Sequence, residues 1–257
     1  MNHISVSYSN LIWAYALIII NIVLSIKFHL GIHKKFFIAS IRTIIQLLIL
    51  GIVLTSLFEL QSVTLITLAL IIMTINAGVE STLRSKYRFK KLFLTNISAT
   101  FLTLWPISFF AIYMLNPKTW YDPQYILPFM GMILGNALTS ISIGVDRYLT
   151  EIKKNHDALL AQFALGATNQ EAQKSIFKES LLAAMIPNIN AMSSIGIVNI
   201  PGMMTGQLIT GANPLEASKY QILIMFLISS GAFLGTTLSI YFCYKHFFKR
   251  DALLCYE

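Results

Sequence analysis

Apolar residues run along this chain in long blocks, and polar residues gather in the short gaps between them. The first block covers about Leu11 to Ile26 and stops at Lys27. The second covers about Phe36 to Phe58, interrupted by Arg42 and Gln46. The third covers about Val63 to Val79, and a basic stretch from Arg84 to Lys91 follows it. The fourth runs from about Phe93 to Leu115 with Trp105-Pro106 inside it, and the fifth from about Tyr125 to Val145. A polar stretch from Asp146 to Glu179 precedes the sixth block, about Ser180 to Ile200, which contains Pro187. The seventh covers about Tyr220 to Tyr244. A helix needs about 20 apolar residues to cross a bilayer. The blocks are too long for the strands of a membrane barrel. The pattern predicts an all-α polytopic membrane protein with about seven transmembrane helices, one membrane domain over residues 1–257.

Composition narrows the class. Of 257 residues, 56% are hydrophobic and 12% charged, whereas soluble domains carry about 25% charged residues. That excludes an ordinary soluble enzyme, and it excludes disorder, which needs low hydrophobicity and high charge. Two cysteines, Cys243 and Cys255, are too few for a disulfide scaffold.

The net charge of +8 is distributed unevenly. Lys27, Lys34 and Lys35 follow the first block, and Arg84, Lys86, Arg88, Lys90 and Lys91 follow the third. Arg147, Lys153, Lys154, Lys174 and Lys178 follow the fifth, and Lys245, Lys249 and Arg250 follow the seventh. The opposite ends carry only Lys118 and Lys219. Lys and Arg accumulate in cytoplasmic loops, so the N-terminus is expected outside and the C-terminus in the cytoplasm. Topology thus accounts for the basic surplus, and no nucleic acid partner is expected. Trp120 and Tyr121 suit the outer interface. No Lys or Arg precedes the first block, so it lacks the basic start of a cleavable signal peptide and is read as a retained span. Both cysteines face a reducing compartment on this topology, and free thiols are expected.

The polar stretch at about 146–179 is the cytoplasmic segment long enough to fold. Tyr148 to Leu165 reads as a helix continuing out of the fifth block. Gly166 fits a helix end, where a left-handed residue carries no Cβ penalty. Thr168 with Glu171 three residues on reads as a capping box that starts the next helix. Leu165, Gly166, Ala167 and Thr168 then form a helical elbow, with Glu179 heading the following span. Such an elbow is either a solvated connection or a docking element for a cytoplasmic partner.

Charged and amide side chains inside the blocks are candidates for a pathway, since polarity in lipid is costly. Arg42 and Gln46, four apart, share a helical face. Arg42 either snorkels to the headgroups or joins a cluster with Gln46, Asn76 and Glu80. Asn136, Asn188 and Asn190 are further polar groups, which commonly hydrogen-bond across helices. Pro187 is a possible hinge, since proline removes a helical hydrogen bond. In Pro201-Gly202-Met203-Met204-Thr205-Gly206-Gln207 the proline and glycines are expected to end or unwind the helix. The segment is either a tight outer turn with methionine as filler or part of the pathway. Met203 and Met204 are candidate ligands for soft metals, while Glu80 offers the oxygen that iron or aluminium prefers. His29 and His33 are four apart, a spacing that can bind a metal on a helix, but Gly31 weakens that helix and Lys34 and Lys35 repel cations, so they read as part of an interfacial basic loop. No P-loop, HExxH, CxxC pair, GxSxG or dinucleotide fingerprint occurs, so the chain is not expected to be an enzyme by itself.

Ala164-Leu165-Gly166-Ala167-Thr168, followed by Phe177-Lys178-Glu179, resembles the coupling region of ABC-transporter permeases. Ile200-Pro201-Gly202-Met203-Met204-Thr205-Gly206-Gln207, then Gly211-Ala212-Asn213-Pro214-Leu215-Glu216-Ala217 and Tyr220-Gln221, resembles the signature of the FetB family, as does Arg42 with Gln46-Leu47. That family comprises iron-export ABC permeases, with related metal-tolerance permeases in plants. The resemblance covers essentially the whole chain. It implies an ABC-type permease domain that binds no cofactor itself and works in a complex of two permeases with two separate cytoplasmic ATPase subunits, which hold ATP and Mg. The implied cargo is a metal ion, iron first, exported across the cytoplasmic (inner) membrane of a bacterium. A gradient-driven secondary transporter and a non-transporting scaffold are the alternatives.

Overall fold

The computed structural model describes residues 7–89, 91–115 and 121–248. Lys90, Lys118, Trp120, Lys249, Arg250 and Cys255 lie outside the described residues. The described residues form α-helices joined by short connections, with one isolated bridge between Ile195 and Asn199. They fall into two compact units, divided between Leu60 and Gln61.

The first unit holds α1 (Tyr8–Lys27) and α2 (His33–Leu60). Their connection turns through His29 at φ 52° and Gly31 at φ +70°. His29 therefore precedes the helix that His33 begins, and the two do not share a helical face. Tyr15 Oη and Ser40 Oγ lie 3.5 Å apart across the pair. Nearly every side chain of both helices is exposed, Trp13 and Ile52 among them. Apolar residues can remain uncovered in this way only where the surroundings are themselves apolar.

The second unit holds α3 (Val63–Arg84), α4 (Leu92–Leu115), α5 (Pro123–Lys154), α6 (His156–Ala164), α7 (Asn169–Ser194), α8 (Gly202–Ile209) and α9 (Pro214–Phe247). Helix starts follow local chemistry. Asp122 accepts from the Gln124 N–H at 3.0 Å with Pro123 after it, and Asn213 accepts from the Leu215 N–H at 2.9 Å with Pro214 after it. Each side chain satisfies a donor that has no partner within its own helix, and proline fits the first turn because its missing N–H would be unpaired there anyway.

α5 packs against α3, α4, α7 and α9. Its buried residues recur at helical spacing and include Met130, Ile133, Ala137, Ile141, Val145, Tyr148 and Ile152. Between helices in lipid the hydrophobic effect gives little drive, so close approach of backbones must supply the attraction. Glycine provides it at three places. A Cβ on Gly144 would lie 2.5 Å from Thr236 Cγ2, one on Gly231 would lie 2.9 Å from Leu104 Cδ2, and one on Gly78 would collide with Ile97 Cγ1.

Among the described residues six helices, α1 to α5 and α9, are long and apolar enough to cross a membrane. This is the polytopic all-α architecture expected. The sixth block behaves differently. It lies in α7, whose helix starts in the polar run Asn169-Gln170-Glu171 and stops at Ser194, short of Ile200. The chain leaves the helix because Gly196 takes φ +78° and its N–H donates forward to Asn199 O at 2.9 Å instead of back into the helix. Two further boundaries differ from expectation. The helix read as continuous from Tyr148 to Leu165 breaks at Asn155, whose side chain donates to Glu151 O at 2.9 Å and so folds back on the preceding turn. The segment after Pro201 does not unwind. Pro201 caps α8, and Thr205 Oγ1 donates to its carbonyl at 3.0 Å.

Candidate functional site

The elbow is built as its residues dictate. Leu165 ends α6, and Gly166 follows at φ +89° with open space where a Cβ would sit. Thr168 starts α7 with a reciprocal capping box. The Glu171 N–H donates to Thr168 Oγ1 at 3.3 Å, and the Thr168 N–H donates to Glu171 Oε2 at 2.8 Å. The Thr168 hydroxyl donates to the same oxygen at 2.7 Å. These bonds, the backbone one foremost, hold the Glu171 carboxyl below its ordinary range although it is fully exposed. Leu165 is 88% exposed, and Ala167 is half-buried beside it. Glu179 stands exposed farther along α7.

Beneath this tip, contacts fasten the elbow to two long helices. Tyr148 Oη on α5 donates to Gln173 Oε1 on α7 at 2.9 Å, both buried. Asn169 Nδ2 donates to Phe248 O at 3.3 Å, and the Phe163 ring stands edge-on to Phe248 with centroids 6.1 Å apart. The α6–α7 turn is therefore held to α5 and to the end of α9. A hollow of about 510 Å³ opens between α7 and α9, lined by Glu171, Gln173, Lys174, Phe177, Tyr241 and Tyr244 among others.

The α3–α4 connection is fastened to the same end. Asp146 on α5 accepts from the Lys86 backbone N–H at 2.5 Å and from Ser85 Oγ at 3.5 Å. The Lys153 ammonium lies 4.3 Å from the Tyr87 ring centroid, and Arg88 donates to the Ser85 and Leu83 carbonyls. Arg84, Lys86, Arg88, Arg147, Lys153, Lys154 and Lys245 so gather at the elbow end of the second unit, and Lys219 stands near the start of α9 at the other. Asp146, Tyr148 and Gln173 were not anticipated as site residues. Their partners lie 60 and 25 positions away, beyond the reach of helical spacing.

The polar residues of the apolar blocks divide between the units. Arg42 and Gln46 share one face of α2 in the first unit, in a shallow hollow with Phe37, Ile38, Ile41 and Ile45. Asn76 and Glu80 belong to α3 in the second unit. Asn76 is exposed, and its Nδ2 donates to Ile72 O at 2.9 Å. Glu80 is half-buried, with Oε2 3.9 Å from Arg84 Nε one turn on. Asn136 on α5 is exposed and donates to Met132 O at 2.8 Å. Asn188 is the cross-helix bond of this set, buried and donating to Ser140 Oγ at 2.8 Å.

At the far end Gly202, Met203, Met204, Thr205 and Gln207 all lie in α8. Pro201 and Met204 line a cavity of about 570 Å³ with residues of α7 and α9. Gln207 Oε1 is buried without a hydrogen-bond partner.

The family described as "Uncharacterised protein family (UPF0014)" matches residues 8–248. A UPF0014 membrane protein of Synechocystis is 36% identical over 217 residues, 83% of each chain. "Probable iron export permease protein FetB" of Escherichia coli is 30% identical over 249 residues, 97% of this chain and 95% of its own. "Protein ALUMINUM SENSITIVE 3" of Arabidopsis thaliana is 27% identical over 237 residues, 92% and 86% of the two chains. No solved structure matches this chain.

Proposed function

We propose that this chain, which belongs to the UPF0014 family of membrane proteins, is the permease subunit of an ATP-driven metal exporter. The observation that carries the proposal is the elbow. An apolar tip at Leu165 faces solvent while Tyr148, Gln173, Asn169 and Phe163 fasten its base to α5 and α9. A tip that is exposed and rigidly rooted transmits a push, whereas a merely solvated connection gains nothing from either property. The elbow docks in a groove of a separate cytoplasmic ATPase, and ATP and Mg are held there. Closure of an ATPase pair moves the α6–α7 turn of each of two permeases and alternately opens the pathway to the two sides.

The chain then crosses the cytoplasmic membrane of a bacterium seven times, with α7 as the sixth crossing, α9 as the seventh and the basic elbow end inside. The cargo is iron or a related metal, which rests on the iron export permease of Escherichia coli at 30% identity over nearly the full chain. Oxygen donors on the way are Glu80 and Asn76 on α3 and Asn136 on α5; Arg42 and Gln46 are a further polar pair on one face of α2. Met203 and Met204 near the far end suit a softer ion, and Pro201, Gly202, Thr205 and Gln207 shape that exit.

The test is purification of the tagged chain from native membranes, identification of co-purifying chains, and ATPase assay with and without iron. A P-loop ATPase is expected to accompany the wild type and to be lost from Leu165→Asp, a change at an exposed tip that leaves the fold intact. Iron is expected to stimulate hydrolysis. A well-folded preparation with no ATPase overturns the proposal and favours a gradient-driven transporter or a scaffold.

A further inference from the structure

The α3–α4 connection carries Arg84, Lys86, Arg88 and Lys91 within eight positions, and it lies at the depth of lipid phosphates. The apolar block of α3 ends at Val79, and Arg84 stands five residues beyond it, roughly 8 Å by the helical rise. The apolar block of α4 opens at Phe93, directly after Lys91 and Leu92. The headgroup layer is about 5–8 Å deep on each side of the hydrocarbon.

The connection is pinned in place. Asp146 of α5 accepts from the Lys86 backbone N–H, and Arg88 donates to the Leu83 and Ser85 carbonyls. The Phe89 ring stacks on His246 of α9 with centroids 4.4 Å apart. A surface ordered in advance loses little entropy when a ligand arrives.

Two cations from different elements converge on this surface. The Lys86 ammonium lies 5.5 Å from the centroid of the Tyr87 ring, and the Lys153 ammonium of α5 lies 4.3 Å from the same centroid. The ring attracts each of them, but the two like charges repel each other. The nearby carboxylates are engaged elsewhere. Asp146 accepts from the Lys86 backbone and from Ser85, and Glu151 pairs with Arg147 at 3.2 Å and accepts from Asn155 at 3.0 Å. Among the described residues neither ammonium has a carboxylate partner. An anion that reaches both removes the repulsion and pairs each charge.

We propose that Lys86 and Lys153, gathered on the Tyr87 ring, bind the phosphate of an anionic phospholipid. At headgroup depth the lipid phosphodiester is the abundant anion, and a zwitterionic headgroup is disfavoured because it brings its own cation to the site. The proposal does not rest on the permease reading, and its test needs neither an ATPase nor transport.

The test titrates the detergent-purified full chain with phosphatidylglycerol and with phosphatidylcholine, and native mass spectrometry counts the lipids bound. The first phosphatidylglycerol is expected to bind about 25-fold tighter than phosphatidylcholine, the effect of two charges at a lipid surface. Lys86→Gln and Lys153→Gln are each expected to weaken it about fivefold, and the double variant to bring it to the phosphatidylcholine level. Lys154→Gln removes the same charge one position on from Lys153 and is expected to bind as the wild type does. Tyr87→Phe keeps the ring and is expected to retain binding, whereas Tyr87→Leu releases the ammonium groups and is expected to weaken it. The lysine variants are expected to melt with the wild type in the absence of lipid, since both side chains are exposed, so lost binding there is not lost folding. Equal affinity for the two lipids overturns the proposal. An equal loss in Lys154→Gln and Lys153→Gln also overturns it and leaves a diffuse basic surface. Displacement of the lipid by millimolar inorganic phosphate overturns the lipid assignment and gives the site to a water-borne anion.

Discussion

Gly144 is the point at which α5, α7 and α9 meet, and the substitution Gly144→Ala measures how tightly. The new Cβ would stand 2.5 Å from Thr236 Cγ2, 3.2 Å from Ala184 Cβ and 3.3 Å from Ile240 Cδ1. Carbon atoms rest about 3.5–4.0 Å apart, so Thr236 has to retreat by roughly 1 Å. It has little room to do so. Its side chain is fully buried, and β-branching restricts its rotamers. The helices themselves must part, and overpacking of this kind costs about 1–3 kcal/mol. Alanine also favours the helix over glycine by about 1 kcal/mol. Gly135→Ala isolates that second effect, because Gly135 lies on the same helix with nothing within 4 Å of its missing Cβ. The expected gap between the two variants is therefore the steric cost alone, about 1–3 kcal/mol. For a chain of this length that lowers the melting temperature by roughly 2–4 °C per kcal/mol. Cys243, a buried free thiol on α9, provides the assay. In a Cys255→Ser background it is the chain's one thiol, and a thiol-reactive dye reports its exposure on heating. If Gly144→Ala melts with or above Gly135→Ala, the close approach of α5, α7 and α9 is not what holds this region together.

Two further outcomes are expected. Tyr148→Phe leaves Gln173 Oε1 buried without its donor, and a destabilisation of about 1–3 kcal/mol is expected in the same dye assay. Adding Gln173→Leu should recover part of that loss, and simple additivity of the two would show that the 2.9 Å bond carries no coupling. Glu171 gives the elbow a pH dependence of defined sign. Its carboxyl is held below the ordinary value of 4.5, chiefly by the Thr168 backbone N–H and then by the Thr168 hydroxyl, so folding favours the charged form. The capping contribution is present above that ordinary value and is lost as the pH falls through the depressed native one. Hydrogen exchange at the Thr168 and Glu171 amides should accelerate across that window in the wild type and be fast and pH-flat beyond intrinsic exchange in Glu171→Ala; an identical profile in both would sink the capping account.

Local chemistry was legible where it acts over a few residues. The apolar blocks marked α1 to α5 and α9, because a span's length and hydropathy are properties of contiguous sequence. Gly166 and the Thr168–Glu171 pair marked the elbow, because a left-handed turn and a capping box are complete within six positions. The break at Asn155 was hidden, since asparagine at a helix end and asparagine inside one read alike without the backbone around them. α8 was hidden for the opposite reason. Proline and glycine suggest an ending, yet Pro201 also suits a helix start, and eight residues are too few to show a period. The anchors of the elbow could not be read at all. Tyr148 with Gln173, Asp146 with the Lys86 N–H and Asn169 with the Phe248 carbonyl each join residues from different helices, and only the folded packing decides which turns meet.

The uncovered state of α1 and α2 sets two unequal rules for how this chain can change over time. A residue such as Ile12 or Ile52 is largely uncovered by its own unit, so apolarity there matters more than the choice among leucine, isoleucine and valine. Gly78, Gly144 and Gly231 meet Ile97, Thr236 and Leu104, which do have fixed shapes. There even one methyl group is an error. Drift among apolar residues should therefore be freer at such uncovered positions of α1 and α2, the polar pair Arg42 and Gln46 aside, and almost frozen at a few small positions deeper in the chain. Relatives are expected to differ in letters most at those uncovered apolar positions, while one exchanged glycine between α5 and α9 would require its neighbours to change with it.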